Sequence, residues 1–98
     1  MKIRKQHLAI LYIDFFIPQA QSLKDKRMVL KSLKDKVRNQ FNVSVAELDG
    51  QDKWQVSTFA FAMIGNDNRY IEGTLQNILS LTESYHGLEI CNHEIEFL

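Results

Sequence analysis

Ninety-eight residues with 45% hydrophobic content make one small globular domain, residues 1–98, long enough to bury a single core without staples. One cysteine, Cys91, excludes an internal disulfide and fits a reducing compartment; no apolar run approaches the roughly 18–20 residues needed to span a bilayer. The formal net charge is zero, yet residues 1–38 hold ten Lys/Arg against three Asp/Glu, and residues 39–98 hold two against nine. Either the two halves neutralise one another in the fold, or a basic face is kept for an anionic partner.

The opening MKIRKQHLAILYIDFFIP sets positive charges before apolar residues, as a signal peptide does. Asp14 interrupts that run and no small-residue cleavage site follows, so a soluble, cytoplasmic protein is expected. Residues 7–17, HLAILYIDFFI, are rich in β-branched and aromatic types and stop at Pro18, which predicts a strand. Ser22 then offers an N-cap with Asp25 three residues on, and Leu23, Leu30, Leu33, Val37 and Phe41 recur at helical spacing. NVSVAEL at 42–48 and WQVSTFAFAMI at 54–64 predict two strands, joined by DGQDK with its Asp-Gly turn signal. GNDN supplies caps for a second helix, in which Ile71, Leu75, Ile78, Leu79 and Tyr85 share a face and which Gly87 closes. LEICNHEIEFL ends the chain as a strand. The order β-α-β-β-α-β predicts a ferredoxin-like α+β fold, with two helices on one face of a four-stranded antiparallel sheet.

SLKDK occurs twice, ten residues apart, at 22–26 and 32–36. At about 100° per residue the second copy lies about 80° round the helix from the first, so the two do not present one surface twice. The segment makes a stripe instead: Lys24, Arg27, Lys31, Lys34 and Arg38 follow three- and four-residue spacing along one flank. Lys24, Lys26 and Arg27 also fall in the first turn, against the helix macrodipole, and Lys26 lies angularly within the apolar stripe. A helix start that carries extra cations is a natural anion pocket, so Lys26 and the Ser22 end are expected to hold one anion. The topology brings Glu47, Asp49, Asp52 and His86 to the same end of the sheet, where they either neutralise the lysines or form a polar site.

There is no glycine-rich phosphate loop and no nucleophile elbow. Cys91 and His93 alternate on a strand without further ligands at metal-site spacing. Acylphosphatases share the length and the expected fold, but their phosphate-loop signature is missing, and fold analogy does not supply it. LYIDFF and TFAFAMI imitate the aromatic strands of an RNA-recognition motif, which stack bases on an open sheet. Parity argues otherwise. Leu11, Ile13, Phe15 and Ile17 share one face, and Phe59, Phe61 and Met63 alternate with Ala60 and Ala62, so the bulky sets should meet under the helices.

The segments IPQAQSLKDKR, FNVSVAELDGQDKWQ and the closing EIEFL, with Gly65-Asn66-Asp67 before the second helix, resemble the YlxP-like bacterial family, a domain of unknown function. The resemblance implies a ferredoxin-like fold, a cytoplasmic bacterial protein and a link to RNA or the ribosome. It carries over no catalytic residue.

Together these readings point to a non-enzymatic binding module without cofactor or metal. Its expected contacts with RNA or a ribosomal surface are Ser22, Lys24, Lys26, Arg27, Lys31, Lys34 and Arg38. A homodimer is expected to cover the apolar open sheet face, where Tyr12, Phe16, Trp54, Val56 and Ile64 lie, and no membrane partner is expected. Two alternatives stay open: a structural homo-oligomer with a small anionic ligand, and an unrecognised enzyme.

Overall fold

The computed structural model describes residues 5–50 and 52–98. The alternation in the first apolar run becomes β1 (His7–Phe16), followed by α1 (Leu23–Gln40), β2 (Ser44–Asp49), β3 (Val56–Gly65), α2 (Asn68–Glu83) and β4 (Glu89–Phe97). The strands pair antiparallel in the order β2-β3-β1-β4, the ferredoxin-like βαββαβ arrangement. Among the described residues no helix is long and apolar enough to cross a membrane.

Register explains the core. Leu11 pairs with Phe61, Ile13 with Phe59 and Ala9 with Met63, so successive pairs stack bulky side chains on one face. That face lies under the helices: Leu11, Ile13 and Phe61 are fully buried, and Phe15 and Phe59 nearly so. Phe59 sits edge-on to Phe15 at 5.9 Å, a favoured aromatic geometry. From above, α1 contributes Leu30, Leu33 and Val37, and α2 contributes Ile71, Leu75, Ile78 and Leu79. Each such side chain stabilises the fold by about 1.5–3 kcal/mol on burial. Phe15, Phe59 and Phe61 are therefore closed to bases.

The helix starts form as their capping residues dictate. Ser22 Oγ accepts from the Asp25 N–H at 3.0 Å, and Asp25 Oδ2 accepts from the Gln21 N–H at 3.1 Å. Asp67 caps α2 by accepting from the N–H groups of Arg69 and Tyr70. The end of α2 differs from the expected one. The helix stops at Glu83, with Ser84 as C-cap, and Gly87 takes its positive φ of 90° three residues later. Short turns fill the gap: the Tyr85 N–H donates to Thr82 O, and the Leu88 N–H to Tyr85 O.

The connection of β2 and β3 is also longer than expected. The strands begin at Ser44 and Val56 rather than at 42 and 54, and the β2 ladder is irregular between Glu47 and Asp49, around Leu48. Trp54 lies outside the sheet and is exposed. Gly50 turns the chain with φ 86°, and a Cβ there would stand 2.7 Å from the Val56 carbonyl oxygen, so only glycine fits.

Candidate nucleic-acid interface

Burying Leu30, Leu33 and Val37 fixes the rotation of α1 and turns its basic flank outwards. Lys24, Arg27, Lys31 and Arg38 are exposed and Lys34 is half-buried. Lys31 Nζ reaches Asp35 Oδ2 at 2.8 Å, an ordinary exposed pair one turn apart. That hydrogen bond, with further attraction from Lys31, Arg38 and Lys34, holds the Asp35 carboxyl below its usual range although local desolvation opposes the shift. Among the described residues, Lys24, Arg27, Lys34 and Arg38 make no ion pair.

The flank borders a groove of about 500 Å³ between α1 and the β2 edge of the sheet. Arg27, Lys31, Lys34 and Arg38 line one wall; Leu30, Phe59 and Glu47 form the rest with Asp35. Lys24 continues the line of charge but does not border the groove. Lys36 points to a different groove, between the helices, where Ser32 and Tyr85 share a hydrogen bond.

Lys26 has another task than the expected one. Its side chain is buried, as its place in the apolar stripe implies, and its ammonium donates to the carbonyls of Gly50 and Lys53 and pairs with Glu47 Oε2 at 3.1 Å. Three donors meet three acceptors, so no anion can be held there. The Ser22 end is closed as well, because the Ser22 hydroxyl caps Asp25 and the Asp25 carboxylate lies over the first turn, repelling a second anion. The expected joint anion site at Lys26 and Ser22 is not formed.

Of the four groups expected near the helix start, only Glu47 meets a lysine there. Ser57 Oγ donates to the same Glu47 oxygen at 2.5 Å, a contact that the sequence reading did not anticipate. Its signal was a polar residue at buried parity on β3. Asp49 accepts from the Gly50 N–H, Asp52 is exposed in the loop, and exposed His86 borders Gln19, Asp25 and Val29 on the other side of α1. Because Glu47 balances Lys26, the groove wall presents four cations against the single remaining carboxylate of Asp35.

Over residues 8–95 the chain matches the family described as "Protein of unknown function (DUF503)". It is 40% identical over 76 residues to "Uncharacterized protein YlxP" of Bacillus subtilis (strain 168), covering 78% of this chain and 83% of that protein. Among solved structures it resembles MupZ from Pseudomonas fluorescens, with TM-score 0.58, 15% identity, and 97% and 71% of the two chains covered. The designed protein Foldit4 gives TM-score 0.55 at 17% identity, covering 96% and 97%. SnoaB, a cofactor-independent oxygenase from Streptomyces nogalater, gives 0.53 at 11% identity, covering 95% and 91%. At these identities the likeness concerns the fold; a natural oxygenase and a designed protein on one scaffold show how little the scaffold says of function.

Proposed function

We propose, from the premise that this chain belongs to the DUF503 family of proteins of unknown function, that it is a non-enzymatic cytoplasmic module that binds RNA, free or on a ribosomal surface, by its phosphates along α1. One observation carries the reading: Arg27, Lys31, Lys34 and Arg38 line one groove wall, while Glu47 is paired with Lys26 and neither Asp49 nor Asp52 borders the groove. Successive cations along the flank are separated by about 4.5–6 Å of helix rise, and their flexible side chains can follow a bending strand. Cations released from the phosphates supply the free energy of such binding.

The reading implies little sequence preference. Leu30 and Phe59 close the groove floor but are themselves buried, so no aromatic face is offered for stacking a base. Phosphate contacts position a strand without specifying it. The test is fluorescence anisotropy of labelled single-stranded RNA, with Lys31→Glu, Lys34→Glu against Glu94→Lys, Glu96→Lys as the control. Binding lost only in the first protein supports the proposal. Equal binding by both folded variants refutes it, and binding of an acidic protein but not RNA would move the site to another partner.

A further inference from the structure

The sheet face opposite the helices is a separate surface from α1. Its cross-strand rows read Glu96, Ile10, Ala62, Ser44 and, next, Glu94, Tyr12, Ala60, Ala46 from β4 to β2. In these two central rows the β4–β1 half carries large side chains and the β3–β2 half alanine and serine, while the flanking rows pair Leu8 with Ile64 and Phe16 with Val56. Beyond the rows, Val56 and Ile64 stand exposed at 40% and 65%.

We infer that a second copy of this chain covers this face, with the two-fold axis running along the strands between β1 and β3. This axis maps each β1 position onto its own β3 neighbour in the other copy. Tyr12 then stands over the partner copy's Ala60, and Ile10 over its Ala62, so that large side chains fill the space above small ones. Asp14, already bonded to Thr58 Oγ1 at 2.7 Å, meets a second Thr58 hydroxyl across the interface. At the rim, Glu94 and Glu96 lie over Ala46 and Ser44 of the other copy, where no carboxylate faces another.

Charge and size both reject the other arrangements. An axis across the strands sets β1 over β1 and Glu94 over its own copy, and leaves the alanines facing alanines. Side-by-side pairing of β2 edges brings two basic α1 flanks together, and pairing of β4 edges gathers Glu89, Glu94 and Glu96 of both copies. The four strands offer a footprint of about 500 Å² per copy at ordinary strand spacing. Two such faces reach the roughly 1,000 Å² that a specific interface has to clear. Both α1 flanks stay on the outside, so the pairing is independent of the RNA proposal.

Light scattering during size exclusion should give twice the mass of one chain at micromolar concentration. Ala60→Trp points to solvent in a monomer and so preserves folding, but overfills the space under Tyr12 and should yield monomer. Mixing Ala60→Trp with Tyr12→Ala should restore dimer, because one of the two symmetric contacts is then native and the other has its small and large partners exchanged. A monomeric unmodified chain, a dimeric Ala60→Trp protein, or failure of the mixture to pair overturns the inference. So does an open face whose variants change RNA affinity in a monomer.

Discussion

The ammonium of Lys26, on the first turns of α1, lies 3.1 Å from the Glu47 carboxylate on β2, with 2% and 26% of the two side chains exposed. The same ammonium ties down the carbonyls of Gly50 and Lys53, and Ser57 donates to the same carboxylate oxygen. A cation in the apolar stripe of α1 thereby anchors the β2–β3 connection to the helix. It also consumes the acid best placed to cancel the basic flank.

Replacing Lys26 with Met should destabilise the fold strongly and, in the protein that remains folded, weaken RNA binding, because the Glu47 carboxylate that borders the groove then loses its lysine. Removing one partner of a buried pair costs about 3–5 kcal/mol, and the partial exposure of Glu47 puts the expected loss near the lower figure. Lys31→Ala, on an exposed pair, should leave stability nearly unchanged. Urea denaturation of the two variants checks the contrast, and equal losses would contradict the assignment.

Phe61→Ala should cost about 3–5 kcal/mol, since the ring is fully buried and its removal leaves a cavity under both helices. Val56→Ala on the opposite face should cost far less in a monomeric sample. Chemical denaturation again decides, and a mild effect at Phe61 would mean that the core lies elsewhere.

Asp35→Asn removes the one carboxylate in the groove wall that no buried lysine offsets. RNA binding should tighten modestly, by less than about fivefold for so exposed a charge. Its pH dependence has a definite sign. The folded Asp35 carboxyl lies below its usual range, so its small contribution to stability is complete above the ordinary carboxylate pKa and fades as pH falls through the lowered folded value. Titration of the unmodified protein should therefore show no change from Asp35 between about pH 5 and 8. Weaker RNA binding by Asp35→Asn would contradict the groove.

The fold was legible because each element announces itself locally. Ser22 with Asp25 and Asp67 before Asn68 start the helices, and the alternation of Phe59, Phe61 and Met63 with alanines sets the buried face. Element edges were less legible. Trp54 has strand character but follows Gly50 and the ladder irregularity at Leu48, and those set the entry to β3 at Val56. The basic flank was visible as spacing, but the destination of each charge was not. Lys26 and Arg27 are adjacent in sequence, and only the rotation of α1 over β2 decides that one is buried on Glu47 while the other faces the groove. Ser57 was missed for a similar reason: its hydroxyl acquires its partner only once the connection folds back onto α1.

The most direct test of RNA binding through α1 is the salt dependence of affinity for single-stranded RNA. If Arg27, Lys31, Lys34 and Arg38 each meet a phosphate, the slope of log K against log salt should be about −3, falling towards about −1.4 or weaker in Lys31→Glu, Lys34→Glu. A slope near zero, or an unchanged slope in the folded variant, would contradict the account.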